Sequence, residues 1–159
     1  MGEEIKVTYY PTDNYLHSTW FFGTDDYIPV KTIAINDNIV GISGGTPIFE
    51  ILPKLESIYI SNSVVDYPTG TTAWIADCPK LSAITGEHPF IQDSRTLSKD
   101  GVLLGYAPNG GEVYEVPSNI TGIGGYCFAR VMTSSEPSLI KSIIIPSSVT
   151  TFYHYLTAK

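Results

Sequence analysis

A repeated spacing of apolar residues is the feature of this sequence that most restricts its fold. Apolar side chains recur at relative positions 0, 2, 6 and 9, with turn-forming residues between positions 2 and 6. Four segments fit this template: Ile33, Ile35, Ile39 and Ile42; Ile58, Ile60, Val64 and Tyr67; Tyr114, Val116, Ile120 and Ile123; and Ile143, Ile145, Val149 and Phe152. Such a repeat predicts a solenoid, because each unit must stack on its neighbours to bury its apolar face.

The repeat units begin near residues 33, 58, 84, 114 and 143, at intervals of 25, 26, 30 and 29 residues. A basic unit of about 23 residues, lengthened by loop insertions rich in Gly, Pro, Ser and Thr, accounts for three of these intervals. Each unit opens with two apolar residues separated by one position, which predicts a short strand with one apolar face. We therefore expect one short strand per unit, stacked in parallel.

The unit that starts at Ile84 departs from the template. It keeps only Ile84, Gly86 and Phe90 at the repeated positions. A turn at 98–101 precedes a strand pattern over 102–106, and Asn109-Gly110-Gly111 leads into a second strand pattern over 113–116. The pattern predicts a β-hairpin inserted into the array, with these two strands as its arms.

Composition excludes several classes of protein. The chain has 159 residues, about one domain, and its 43% hydrophobic content is too high for a disordered chain. Sixteen acidic and nine basic side chains give a net charge of −7, which disfavours nucleic acid and anionic lipid as partners. No apolar run is long enough to span a bilayer, and the first residues do not form a signal peptide.

The best match to a known repeat lies between residues 114 and 128. There Tyr114-Glu115-Val116-Pro117 leads to Ile120, then to Ile123-Gly124, and Cys127-Phe128 ends the unit. This pattern resembles the BspA-like leucine-rich repeats, in which Ala stands at the Cys127 position. The likeness covers roughly residues 30–152, although the unit at Ile58 has Ser61 where the family has Pro.

The resemblance implies a leucine-rich-repeat solenoid, a right-handed superhelix with one short parallel strand per unit on its concave side. Short helical turns or loops would form the convex side. The family's known settings are extracellular or cell-surface, mostly in bacteria, and its known roles are adhesion and binding of host proteins. It brings no catalytic residue and no cofactor. A non-catalytic recognition module that binds a protein or glycan partner is therefore the first functional hypothesis.

Two other functions stay open. The chain could be a structural spacer or assembly domain of a larger surface protein, and an enzyme that acts on carbohydrate ranks below both. Glycoside hydrolysis generally needs two facing carboxylates. Only Glu115 is acidic among the outward strand positions, and the flanking positions alternate in sign. Those flanking residues are Lys31, Glu56, Ser82, Glu112 and Lys141.

The candidate binding residues are those that face outward between the two inward positions of each strand. These residues are Tyr59, Thr85, Glu115 and Ile144, with Ala34 at the same position of the first unit. Tyr59 and Ile144 are apolar at an outward position, and an exposed aromatic or aliphatic side chain often anchors a partner.

Other reactive residue types have simpler interpretations. His17, His88 and His154 lack metal-ligand spacing and are predicted to lie in loops or on the surface, so no metal site is expected. Cys78 and Cys127 are predicted to be buried thiols rather than nucleophiles.

The two ends of the array need protection, because open edges invite pairing. Residues 1–29, with strand-like alternation at Ile5, Val7 and Tyr9, are predicted to form an N-terminal cap ahead of the repeats at 30–159. Residues 153–159 offer at most a minimal C-terminal cap. This end therefore either self-associates or continues into a longer chain.

Overall fold

The repeated apolar positions line up in columns in the computed structural model, which describes residues 13–17, 30–128 and 138–153. Parallel register places Ile33 opposite Ile58 and Ile58 opposite Ile84, and it places Tyr114 opposite Ile143. These are the first positions of the five units. The predicted stacking of units is thus confirmed.

Fourteen short strands make up the described part of the chain, which contains no helix. The strands are β1 (Tyr15–His17), β2 (Thr32–Ile35), β3 (Gly41–Ser43), β4 (Phe49–Glu50), β5 (Ser57–Ile60), β6 (Ile75–Ala76), β7 (Ala83–Thr85), β8 (Ile91–Asp93), β9 (Thr96–Lys99), β10 (Val102–Tyr106), β11 (Val113–Glu115), β12 (Gly122–Ile123), β13 (Ser142–Ile144) and β14 (Thr151–Phe152). Turns, and not helical segments, therefore join the strands in these ranges.

Each coil has three sides. The first side carries the strands of the Ile-x-Ile segments, in the sheets β2-β5-β7 and β11-β13. The second side carries the return segments, in the pair β1-β3 and in the sheet β14-β12-β10-β9-β8. The third side carries the pair β4-β6. Apolar residues from all three sides point inward and form the core.

The inward positions are closely packed in the inner coils. Ile58, Ile60 and Leu55 have no exposed surface, and Ile120 and Leu81 are equally buried. A fully buried aliphatic side chain of this size contributes about 1.5–3 kcal/mol. The columns of the repeat, and not any single contact, thus supply most of the stability.

The inserted hairpin differs from the one predicted. Strand β10 (Val102–Tyr106) pairs antiparallel with β9 (Thr96–Lys99) and parallel with β12, whereas β11 pairs parallel with β13. The turn of the hairpin is Asp100-Gly101, where both residues adopt positive φ angles of 51° and 79°. The prediction that residues 113–116 form the second arm was therefore wrong.

Two contacts between successive units explain the departure at this unit. The Asn109 amide donates to the Leu81 carbonyl at 2.8 Å, so the Asn109-Gly110-Gly111 turn returns the chain to the first side. At the position equivalent to Ile60, Gly86 has φ +120°, and a Cβ there would lie 2.1 Å from the Ile60 carbonyl oxygen. A side chain cannot fill that position, which is why the template fails after Ile84.

The buried side chains divide into two clusters. The amino-terminal core extends along the first three units and includes Ile33, Ile58 and Trp74. The carboxyl-terminal core includes Tyr114 and Ile123. Strand β10 separates the two clusters, since Leu104 packs in the first and Leu103 in the second.

The two ends of the array differ. At the amino-terminal end, β1 pairs with β3, and Leu16 lies opposite Ile42 with 7% of its surface exposed. The other strand-like residues predicted for the cap (Ile5, Val7 and Tyr9) lie outside the described residues. At the carboxyl-terminal end, Ile145 and Phe152 occupy inward positions of the template but remain 43% and 53% exposed.

Candidate functional site

The outward residues of the first side are exposed, as their strand positions predict. In the sheet β2-β5-β7, Tyr59 lies between Ala34 and Thr85 and is 37% exposed. The Thr85 hydroxyl donates to the Ile58 carbonyl at 3.4 Å, so this side chain is held against the sheet. We call these three residues the Tyr59 patch.

Glu115 and Ile144 lie side by side on the second sheet of this side. They are register partners in the pair β11-β13, and Ile144 is 47% exposed. Val113, two residues before Glu115 on the same face of β11, is 50% exposed. We call Val113, Glu115 and Ile144 the Ile144 patch.

The predicted binding residues do not include Val113, although it also faces outward. The positions on both sides of an inward strand residue face outward, since side chains alternate along a strand. The predicted residues all follow an inward residue, whereas Val113 precedes one, and the same alternation identifies it as outward.

The hairpin separates the two patches. The Ile84 amide donates to the Ser94 carbonyl at 2.8 Å, so the turn between β8 and β9 occupies the place of a first-side strand. Nη1 of Arg95 donates to the Val113 carbonyl at 2.7 Å, and Nε and Nη2 donate to the Ala107 carbonyl at 3.2 and 3.1 Å. The four predicted residues therefore form two patches and not one continuous row.

Opposite charges pair in the column that flanks the first-side strands. The Lys31 ammonium lies 3.5 Å from the Glu56 carboxylate, and the Lys141 ammonium lies 2.6 Å from the Glu112 carboxylate. All four side chains are more than half exposed. Exposed pairs of this kind contribute little to stability, about 0–1 kcal/mol. The two acidic residues of this column, Glu56 and Glu112, are therefore both paired with lysines.

His88 lies in the loop between β7 and β8, as predicted for the histidines, but it is buried there, with 2% of its surface exposed. Its Nδ1 accepts from the Phe90 amide at 3.2 Å, and its Nε2 lies 3.1 Å from the Val64 carbonyl. The ring also contacts the rings of Tyr67, Trp74 and Phe90. Burial lowers the pKa of His88. The ring is therefore a neutral core residue and not a metal ligand.

The cysteines are buried, which confirms the prediction for both. Cys78 and Cys127 are free thiols with 2% and 3% of their surfaces exposed. Burial raises the pKa of Cys78 to about 12, and it also raises the pKa of Cys127. A thiol with so little thiolate at neutral pH is a poor nucleophile.

In the described ranges, no three His, Cys, Asp or Glu side chains come close enough together to hold a metal ion. The same ranges contain no helix long and apolar enough to cross a membrane.

Comparison with known proteins supplies one structural neighbour. No protein-family model matches the chain, and no curated protein matches it either. The chain is similar to the crystal structure of a leucine-rich repeat protein from Eubacterium ventriosum ATCC 27560, at 20% sequence identity and a TM-score of 0.44. The match covers 77% of this chain and 29% of the other, so the chain spans less than a third of that protein.

The fold class follows from the register within the chain itself. Parallel first-side strands recur with the sequence period, inward columns are buried, and turns complete each coil in the described ranges. The protein is therefore a parallel β-solenoid.

Proposed function

We propose that the protein is a recognition module of the BspA-like type, secreted or displayed at a cell surface, which binds a protein or glycan partner through its first side. The observation that supports this proposal is the presence of apolar side chains at outward strand positions. Tyr59 is 37% exposed, and Val113 and Ile144 are 50% and 47% exposed.

The backbone beneath these side chains is held by strand pairing. Tyr59 belongs to the central strand of its three-stranded sheet, and Ile144 is paired with Glu115. A side chain on an ordered strand loses less conformational freedom on binding than one on a loop, so more of its contact energy contributes to affinity. Aromatic anchors are common at the centre of protein interfaces. The Tyr59 patch is therefore the first surface to test.

The polar neighbours of the anchors favour binding over hydrolysis. Glu115 has Ile144 as its register partner, and the nearby Glu112 is paired with Lys141. A hydrolase would need a second carboxylate about 5–10 Å from the first, directed at the same sugar. A single carboxylate beside an aliphatic side chain is better suited to orient a bound partner.

The test is a binding screen of the full chain against glycans and extracellular matrix proteins. We expect Tyr59→Ala or Ile144→Ser to weaken any binding that is found at least tenfold, because each removes an anchor from one patch. Val65→Ala is the matched control, since Val65 is 74% exposed and lies outside the first-side strands. Equal binding by all three variants would place the interface elsewhere and overturn the proposal.

A spacer or assembly role is the second candidate, and one observation favours it. The last coil leaves Ile145 and Phe152 exposed at positions that are buried in the inner coils. A surface of this kind is suited to contact with another protein surface.

A further inference from the structure

The carboxyl-terminal end of the array presents core positions with nothing stacked on them in the described chain. Ile145 corresponds to Ile35, and Phe152 corresponds to Ile42. The inner residues are 2% and 3% exposed, whereas Ile145 and Phe152 are 43% and 53% exposed. Together with the partly buried Ile143 and Val149 they form what we call the end face.

The backbone at this face is also open to pairing. Strands β13 and β14 each lie at the edge of a sheet, paired on one side only within the described ranges. Exposed apolar edge strands associate with other strands unless charges prevent it. Lys141 is the one charged residue between positions 138 and 153, and it belongs to the flanking column rather than to the end face. No charge on the end face opposes association.

The opposite end of the array does not complement this face. There β1 already pairs with β3, and Leu16 covers Ile42 on the second side. The flanking column begins with Lys31 at that end and finishes with Lys141 at the other. Head-to-tail stacking of two copies would therefore bring two lysines together in one column.

We propose that two copies of this chain associate through their end faces, related by a two-fold axis, with the β13 edges antiparallel. A pairing centred on Ile143 sets Lys141 opposite Ile145 of the second copy, so no like charges meet. The same apolar surface serves both partners, as a two-fold interface requires. The association pairs the open β13 edge of each copy with that of the other, and a two-fold interface of this kind closes at two copies. This inference goes beyond the proposed function, since it does not involve Tyr59.

The test is light scattering and sedimentation of the full chain over a range of concentrations. We expect a species of about twice 17.4 kDa that becomes monomeric in Phe152→Glu and separately in Ile145→Lys. Both positions are exposed in the single chain, so a charge there leaves the inner coils intact. Val65→Lys is the control and should remain dimeric. Thermal melts identify any variant that fails to fold, and the other variant then decides.

Cross-linking separates the two-fold arrangement from the head-to-tail one. Ser142 and Thr32 occupy the same position of the last and first described first-side strands. Because the proposed interface brings the two β13 strands together, we expect a bismaleimide to join two Ser142→Cys chains and not two Thr32→Cys chains. The native cysteines are buried and do not compete for the reagent. A monomer at all concentrations, growth beyond two copies, a dimer that both charged variants leave intact, or no cross-link through Ser142→Cys would each overturn the proposal.

Discussion

His88 shows how one side chain can link two coils. Its Nε2 lies 3.1 Å from the carbonyl of Val64, which is in the preceding unit, and its Nδ1 accepts from the Phe90 amide in its own. The ring must be neutral for this pair of bonds, because a protonated Nδ1 cannot accept. The Lys99 ammonium lies 5.7 Å from the centre of the Phe90 ring, and that ring lies 4.6 Å from the His88 ring. A protonated His88 would therefore add a positive charge in the vicinity of Lys99.

We predict that the free energy of unfolding decreases as the pH falls from 7.5 to 5. The pKa of His88 is lowered in the folded state by burial, whereas in the unfolded chain it is near 6.5. The unfolded chain therefore binds more protons in this range, and the contribution of neutral His88 is lost as the pH falls below about 6.5. Urea denaturation at several pH values measures this decrease in the free energy of unfolding.

Substitution of the histidines provides the control for this pH dependence. We expect His88→Gln to flatten the slope of stability against pH between 5 and 7.5, although the variant is less stable overall. His17→Gln and His154→Gln should retain the slope of the unmodified chain. A slope that persists in His88→Gln would assign the pH dependence to other groups.

The location of His88 could not be predicted from its sequence neighbours. Its ring contacts Tyr67 and Trp74, which precede it by 21 and 14 residues. The repeat predicts that the backbones of successive units stack, but the path of an irregular unit decides which side chains meet. That path is fixed here by Gly86, whose lack of a Cβ allows close contact with the Ile60 carbonyl.

At the scale of the element, the hairpin interrupts the first side, and Arg95 in the turn between β8 and β9 bonds to the coil that follows. Arg95 spans from the Ala107 carbonyl to the Val113 carbonyl, and its guanidinium lies 5.1 Å from the centre of the Tyr114 ring. Three donors in one planar group hold the turn against the next coil. A Cβ at Gly110 would lie 2.5 Å from Nε of Arg95, so this glycine makes room for the guanidinium.

We predict that Gly110→Ala and Arg95→Ala destabilise the protein in a coupled way. Gly110→Ala should cost about 1–3 kcal/mol by displacing the guanidinium, and Arg95→Ala about as much by removing hydrogen bonds. Once Arg95 is gone the added methyl meets less, so the double variant should lose less than the sum of the two. Chemical denaturation of all four proteins measures the coupling.

Gly45→Ala provides the control for this cycle, since nothing lies within 4 Å of a Cβ there. Its effect should be under about 0.5 kcal/mol in either background. Strict additivity of the Gly110 and Arg95 effects would show that the added methyl does not act by displacing the guanidinium.

The sequence predicted that a hairpin is present but not which strands form it. The strand over 102–106 and a turn before it were recognised, and both are found in the structure. The second arm was misassigned because Asn109-Gly110-Gly111 has the composition of a hairpin turn. The long-range bond from the Asn109 amide to the Leu81 carbonyl directs that turn elsewhere, and turn composition carries no information about such a contact.

At the scale of the whole molecule, β10 lies between the two buried clusters and contributes side chains to both. Leu104 and Ala107 pack in the amino-terminal core, whereas Leu103 and Tyr106 pack in the carboxyl-terminal core. Stacked-repeat proteins are stabilised mainly through contacts between neighbouring units, so regions far apart in the stack can open separately. Neighbouring residues of one strand therefore control different parts of this array.

We predict that Leu103→Ala and Leu104→Ala loosen opposite ends of the molecule. Both side chains are almost fully buried, so each truncation should cost about 2–5 kcal/mol. Amide hydrogen exchange should increase mainly over 113–123 in Leu103→Ala and mainly over 33–60 in Leu104→Ala. The two variants control for each other, and a uniform increase in both would indicate a single cooperative core.

The overall fold was predictable because a solenoid repeats one local rule. The spacing of Ile33, Ile35, Ile39 and Ile42 recurs along the chain, and stacking converts that spacing into columns. The candidate binding residues were only partly predictable. Alternation along a strand identified Tyr59 and Ile144 as outward, but the separation of the patches depends on the hairpin, which has no counterpart in the repeat.

The burial of the two cysteines has a practical consequence. Cys78 belongs to the amino-terminal core and Cys127 to the carboxyl-terminal core. A thiol-specific dye can reach either sulfur only when the surrounding coil opens, because both are covered in the closed state. The unmodified chain therefore carries one natural reporter in each half, and the two labelling rates compare how often each half opens.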